Sequence, residues 1–399
     1  MRLTLLLLGI LVTGCGVSGQ SVPDPQALHR DAFVMDAHVH MINRQLYLGG
    51  KIGDRYPDGQ VDLPRMREGG IDAFFMSLYV EDSYYPNRYE TKHAFRLMEL
   101  ALEQIAAHSD QIEVARSGAD IGRINRAGKV AAVLDLEGNF DLDGDLLLLR
   151  ALHRLGLRSA MLPAHNSANT FADSCCAAPR FGGLNNRGRE LVREMNRLGM
   201  VINVAHGSNE TILQAVKESR HPVLFSHGGF RHFVEIDRSL SDEAARAIAS
   251  RGGVIGINLG NSFSNPVYYE WRQRQRVVES PWNASRPKVA PDPVGSMEEL
   301  TARTAKRYPI EPAMAPAEVM MEVDQILKVI DYAIGLVGED HVSLGIDFDG
   351  GVEPPKGIKD ISDLPKLTEA FLKHGYSEER IRKILGGNLL RLFHAVTEK

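Results

Sequence analysis

Histidines and carboxylates recur at the ends of apolar runs in this 399-residue chain, and these are side chains that can hold a divalent ion. His38 and His40 end the run Phe33-Val34-Met35-Asp36-Ala37-His38-Val39-His40. In a strand, residues i and i+2 project from one face, so this His-x-His pair can aim two imidazoles at one point. Such a pair is common by itself. Other runs supply more donors: Glu137 in Leu134-Asp135-Leu136-Glu137-Gly138, His165 in Pro163-Ala164-His165-Asn166, and His206 in Asn203-Val204-Ala205-His206-Gly207. His227 follows Leu224-Phe225-Ser226, and Asp347 and Asp349 lie in Gly345-Ile346-Asp347-Phe348-Asp349-Gly350. One histidine after a strand is an ordinary loop residue. Five histidines and three acids, all at run ends, make a ligand set.

Imidazole and carboxylate without a nearby thiolate suit Zn²⁺ and related ions. The donors outnumber what one ion needs, so two ions bridged by a carboxylate fit better, an arrangement suited to metal-assisted hydrolysis. Glu137 has two oxygens and can bridge two cations, offsetting their repulsion. A water held between the ions becomes acidic enough to act as a nucleophile near neutral pH. Asp347 is then placed to take its proton and pass it to a leaving amine. His165 can donate a hydrogen bond to the oxyanion that forms.

Residues with these duties need a rigid scaffold. Strand-like runs fall at 33–38, 73–79, 130–136, 159–163, 201–205, 223–225, 254–258 and 342–346. Helical patterns lie between them, at 92–107, 145–155, 187–198, 210–218, 241–250 and 317–336. The apolar runs are continuous, as for strands covered on both faces of a parallel sheet. The expected fold is α/β, a (β/α)8 TIM-type barrel, in which functional residues sit at the C-terminal strand ends. An open doubly wound sheet is the alternative, weakened because no glycine-rich phosphate loop follows the first strand. Residues 259–316 break the rhythm and read as a long structureless insertion after strand seven, serving as a lid or an oligomer contact such as a homodimer interface. C-terminal helices are expected at 364–373, 377–385 and 388–396.

Apolar content of 44% and charged content of 24% are ordinary for a globular chain. A formal charge of −5 gives no reason to expect nucleic acid as a partner. Arg2 precedes an apolar run over 3–12, too short to span a bilayer, which needs roughly 20 residues. The following Leu11-Val12-Thr13-Gly14-Cys15 resembles a bacterial lipoprotein signal. Residues 1–15 are thus expected to end in a lipidated Cys15, residues 16–29 to form a tether, and residues 30–399 a single catalytic domain exported to the bacterial cell envelope and held at its membrane. A plain secretory signal is the alternative. Cys175 and Cys176 are neighbours, which argues against a structural disulfide; they read as a loop feature without assigned function.

Taken together, several strings resemble the membrane dipeptidase (renal dipeptidase) family of binuclear zinc barrels. They include Asp36-Ala37-His38, Leu136-Glu137-Gly138, His165-Asn166-Ser167-Ala168-Asn169 and Gly188-Arg189-Glu190-Leu191-Val192. They continue with Met195-Asn196-Arg197-Leu198-Gly199-Met200, Ser226-His227, the segment from Asp340 to Gly350, and Ile384-Leu385-Gly386-Gly387-Asn388-Leu389-Leu390-Arg391. The match covers roughly residues 30–396 in order. It implies a dipeptidase with two Zn²⁺ per chain, acting on small dipeptides. His38 and His40 would hold one zinc, His206 and His227 the other, with Glu137 between them. His165 would contact substrate, Asp347 would shuttle the proton, and Asp349 would orient its loop. Arg238, otherwise an ordinary surface arginine, would pair with the substrate's C-terminal carboxylate.

Three departures stand out against the resemblance. The family usually has His-x-Asp where this chain has His38-Val39-His40, which adds one unit of positive charge to the site. Gln325 stands after Asp324 where the family often has His. The insertion at 259–316 can reshape the pocket. His40 and the insertion keep open a related amidohydrolase acting on N-acyl amino acids, lactams or lactones. A non-catalytic lipoprotein that keeps the barrel as a binding module is the other alternative.

Overall fold

Strand segments such as Ala73–Val80 and Val130–Gly138 are buried along nearly their whole length, because both of their faces are covered. The structure is a computed structural model that describes residues 24–81, 84, 89–138, 140–162, 165, 169–278, 297–305 and 315–398. Cys15 and the proposed signal segment lie outside the described residues.

Among the described residues, nine parallel strands form one sheet: β1 Met35–Val39, β2 Ala73–Val80, β3 Ile112–Val114, β4 Val130–Gly138, β5 Leu157–Met161, β6 Val201–Asn203, β7 Leu224–Gly228, β8 Val254–Ile257 and β9 Val342–Leu344. Eight of them follow the order β1-β2-β4-β5-β6-β7-β8-β9, and the short β3 pairs with β4 off that path. The ring closes beyond β9, where Asp347 N–H donates to the His38 carbonyl (2.9 Å) and His40 N–H to the Phe348 carbonyl (3.0 Å). The result is the expected barrel, nearly closed.

Alternate residues of the strands face opposite layers. Phe74, Met76, Ala132 and Leu134 pack into the shell between barrel and helices. Ala73, Phe75, Ala131 and Val133 pack instead with Leu389, Leu392, Phe393 and Val396 of the C-terminal helix Asn388–Thr397. Further along β4 the same parity brings Asp135 and Glu137, so the polar part of the barrel lies toward the C-terminal strand ends. Several helices begin where a short polar side chain takes up a first-turn amide: Asp62, Ser117, Asn185, Ser208 and Ser241 each accept from a backbone N–H. Each such cap stabilises its helix by ~1 kcal/mol.

Three expectations need correction. The folded body begins before residue 30: the helix Pro25–Asp31 is capped by Asp24, and buried His29 hydrogen-bonds Thr368 (2.7 Å) and the Gly69 carbonyl (2.9 Å). Inside 259–316 most of the described residues are helical, at Asn261–Ser264, Pro266–Val278 and Met297–Ala305. The helix expected over 317–336 is a single 3-10 turn, Ala317–Val319, followed by the helix Val323–Val337.

His93 lies fully buried in the helix Glu90–Ala107, its Nε2 3.1 Å from the Tyr47 hydroxyl and its ring stacked on Tyr84 at 4.0 Å. Burial, aided by the Arg96 cation, pushes its pKa down to about 3 from an ordinary 6.5. Above pH 6.5 the imidazole is neutral whether the chain is folded or not. Below it, only the unfolded chain takes up the proton, so the fold loses stability as pH falls toward 3. Urea denaturation at roughly pH 7 and pH 5 should show a larger loss for wild type than for His93→Gln. Equal losses would remove His93 as a source of acid sensitivity.

Candidate active site

The site grows from β1, β4, β6 and β7, whose C-terminal ends converge. In β4, Glu137 stands opposite Tyr79 of β2, and Asp135 opposite Ser77. The Ser77 hydroxyl donates to Glu137 Oε2 (2.5 Å), orienting the carboxylate. That oxygen lies 2.8 Å from His38 Nε2 and 3.2 Å from His40 Nε2. The other oxygen, Oε1, faces His206 Nε2 at 3.6 Å and His227 Nε2 at 3.8 Å. Glu137 thus divides its two oxygens between two histidine pairs. Within each pair the Nε2 atoms lie 3.1 Å apart. Four imidazole nitrogens converging on one buried carboxylate make a donor set that fits cations, with His38, His40 and Glu137 forming one compact group.

The electrostatics divide the two pairs. Burial pulls the His38 and His40 imidazoles down, but the Glu137 carboxylate outweighs it, holding His38 well above the ordinary value and His40 at about 9. Burial, with the Arg238 cation, holds His206 and His227 well below theirs. Burial raises the Glu137 carboxyl, yet the two imidazoles of His38 and His40 overcome this and keep it well below the carboxylate range.

Asp347 Oδ1 is 3.2 Å from His40 Nε2, and its Oδ2 accepts from Asn258 Nδ2 at 2.9 Å. Asp347 (φ +66°), Asp349 (φ +59°) and His206 (φ +62°) all occupy the left-handed region, where backbone strain is often stored at functional sites. Asp349 accepts from the backbone N–H of Gln60 (2.7 Å) and Val61 (3.2 Å), the loop-orienting position expected for it. His165 stacks obliquely on His206, with ring centroids 3.9 Å apart.

Arg238 reaches the same place from the loop after β7. Its Nη2 donates to the His227 carbonyl (2.9 Å), and its guanidinium carbon lies 5.4 Å from the Phe263 ring centre and 5.7 Å from that of Phe225. Among the described residues, the buried Nε and Nη1 have no hydrogen-bond partner. Burial lowers its pKa to about 10, so it remains a cation. A cavity of about 530 Å³ is lined by His40, Glu137, His165, His206, His227, Arg238 and Asp347. All the proposed site residues among the described chain are therefore gathered in one place.

Sequence reasoning missed four contributors. Tyr79 stands at the end of β2, its ring edge-on to His40 (5.5 Å) and His165 (5.3 Å). Asn258 positions Asp347. Both lie at strand ends, where the barrel would have pointed to them. Phe263, from the segment read as structureless, lines the cavity. The adjacent Cys175 and Cys176, expected to be unbonded, form a disulfide, and Cys176 also lines the cavity. Of the three departures, Gln325 donates to the Ser264 carbonyl (3.0 Å) and does not line the cavity.

His40 is the departure at the centre of the site. Replacing it by Asp would put a third carboxylate between Glu137 and Asp347. Without metal the three repel, so the chelator-treated His40→Asp protein should melt roughly 5 °C or more below wild type. Added zinc should stabilise the variant more than the wild type, as measured by scanning calorimetry. A metal-free variant as stable as wild type would contradict this picture of the cluster.

The profile of the membrane dipeptidase family, peptidase family M19, matches residues 24–399. A dipeptidase of Claviceps purpurea, tcpJ, is 30% identical over 373 residues, covering 90% of this chain and 75% of its own. Among solved structures, the probable dipeptidase PvdM of Pseudomonas aeruginosa superposes with a TM-score of 0.77 at 23% identity, covering 94% of this chain and 98% of that one. A metallo peptidase of Rhodobacter sphaeroides, liganded with a phosphinate mimic of the dipeptide L-Ala-D-Ala, gives 0.71 at 24% identity, covering 92% and 99%. The chain belongs to the membrane dipeptidase family and is a metallo-dipeptidase built on an α/β barrel.

Proposed function

We propose that the enzyme uses two zinc ions to hydrolyse the peptide bond of small dipeptides that carry a free C-terminal carboxylate. The observation that carries the substrate class is Arg238, which lines the cavity that holds Glu137 and whose buried Nε and Nη1 have no hydrogen-bond partner among the described residues. A carboxylate is the partner that satisfies such a fork, by paired charge-assisted hydrogen bonds.

His38, His40 and Glu137 Oε2 would hold one ion, and His206, His227 and Glu137 Oε1 the other. When bound, the two ions would supply Lewis acidity to the scissile carbonyl and make a water acidic enough to attack it. Asp347 accepts the proton through Oδ1 and returns it to the departing amine, while Asn258 fixes Oδ2 and so the orientation of the carboxylate. His165 donates a hydrogen bond to the carbonyl oxygen as it gains charge. Arg238 fixes the far end of the substrate, which sets the distance from carboxylate to scissile bond and so favours dipeptides over longer chains.

The test is a panel of dipeptides, including D-residue members such as L-Ala-D-Ala, set beside N-acyl amino acids and run with metal content measured on the same sample. Faster turnover of the dipeptides supports the reading. A zinc-loaded enzyme that cleaves none of them overturns it. The second reading, an amidohydrolase acting on N-acyl amino acids, draws on His40 and on the Phe263 wall, and faster turnover of that class would favour it.

Arg238→Gln should raise KM for dipeptides by about 100-fold, a loss of roughly 2–3 kcal/mol from a buried ionic contact. Dipeptide amides, which lack the carboxylate, should react at similar rates with variant and wild type. If the variant keeps the full preference for the free acid, Arg238 is not the carboxylate partner.

A further inference from the structure

The Cys175–Cys176 pair is not used by the mechanism, yet it is built into the wall of the site. Buried Asp173 organises its loop: the carboxylate accepts from the backbone N–H groups of Arg180 (2.8 Å), Phe181 (3.0 Å) and Gly183 (2.9 Å). The Asp173 carbonyl accepts from Ser208 N–H (3.1 Å) and the Thr211 hydroxyl (2.8 Å). Ser174 bridges to Gly207, and Cys175 N–H donates to the His206 carbonyl at 2.8 Å. The two cysteines are therefore tied to the turn that presents His206. Cys175 is buried, whereas Cys176 is exposed and lines the cavity. The two sulfurs and a ring nitrogen of His206 all lie within 4.8 Å of one another.

We propose that this disulfide is a redox-gated metal site: once reduced, Cys175 and Cys176 join His206 as an S₂N ligand set for a thiophilic divalent cation. In the disulfide neither sulfur is a thiolate, so His206 is left to its partner His227. The exposed Cys176 sulfur is open to attack by the thiolate of a dithiol reductant. The Cys175–Cys176 bond breaks, Cys175 leaves as a thiolate, and a mixed disulfide forms on Cys176. The second thiolate of the reductant then attacks its own bound sulfur, releasing Cys176 and a cyclic disulfide. Two electrons and two protons have passed from the reductant to the cysteine pair. A cation bound there displaces the thiol protons. Metal–sulfur bonds of about 2.3 Å and metal–nitrogen bonds of about 2.0 Å require the two sulfurs, bonded to one another in the disulfide, to part while the His206 nitrogen closes on them, a rearrangement within reach of side-chain rotation. Thiolates favour soft ions, so Cd²⁺ is the clearest probe.

The experiment treats the full-length protein with a dithiol, removes the reagent anaerobically, and titrates Cd²⁺ while recording the thiolate-to-cadmium charge-transfer absorption. Reduction should raise the count of reactive thiols by two, one disulfide's worth. It should also produce the absorption band and tighten Cd²⁺ binding by about 100-fold relative to the oxidised protein. The band should be absent from the oxidised protein and from reduced Cys175→Ser/Cys176→Ser. Reduced wild type alkylated at its thiols provides the same control without depending on the folding of that variant. A thiol count that does not rise, no band after reduction, or a band that survives in the controls overturns the proposal. None of these readings needs peptide turnover, so the outcome stands apart from that of the dipeptidase assay.

Discussion

Glu137→Gln should reduce kcat/KM for dipeptides by about 1,000-fold or more and lower the metal content of the purified protein. The side chain keeps its size and can still accept from the Ser77 hydroxyl, so the barrel should fold. What changes is the division of its oxygens. In the wild type Oε2 faces His38 and His40 while Oε1 faces His206 and His227. In glutamine one oxygen becomes an amide nitrogen, which donates and cannot ligate a cation. The negative charge between the two proposed ions is lost as well, leaving their repulsion uncompensated. Several kcal/mol of transition-state stabilisation are at stake in such a centre, and about 4 kcal/mol corresponds to a thousandfold rate. Steady-state kinetics with metal analysis on the same sample checks the result. A variant with full activity and full metal content would show that Glu137 is not shared between the pairs.

Asp347→Asn should lower kcat by about 100- to 10,000-fold, the range spanned by a positioned general acid–base, while metal content and KM change little. Asparagine suits the test for two structural reasons. Its side-chain oxygen can still accept from Asn258 Nδ2, and it tolerates the left-handed backbone at φ +66° that most residues resist. The substitution therefore removes the proton acceptor and leaves the frame. A variant that loses metal along with activity would place Asp347 among the ligands instead, a role consistent with the 3.2 Å from its Oδ1 to His40 Nε2.

Much of this was legible in the chain because barrel physics ties strand ends to chemistry. Continuous apolar runs identified the eight barrel strands, and His38, Glu137, His206, His227 and Asp347 stood at or just beyond their ends. What escaped reading escaped for physical reasons. β3, Ile112-Glu113-Val114, carries a glutamate at its centre, so no continuous apolar run marks it. The helix Pro266–Val278 is rich in Arg and Tyr, so it lacks the apolar stripe that betrays a core helix. Arg238 lies well beyond the end of β7 and stood out only through the family resemblance; the burial of its Nε and Nη1 without a partner among the described residues is a tertiary fact. Asn258 and Tyr79 are unremarkable residue types until the barrel brings them beside Asp347 and His40. The bond between Cys175 and Cys176 went against local expectation, since adjacent residues pair with difficulty.

The central claim is that Glu137 sits between two metal ions, each held by its own histidine pair. A crystal structure of the zinc-loaded protein, with anomalous data collected at the zinc edge, tests it most directly. The account predicts two peaks, one among His38, His40 and Glu137 Oε2, the other among His206, His227 and Glu137 Oε1. A single peak, or zinc bound away from Glu137, would contradict it.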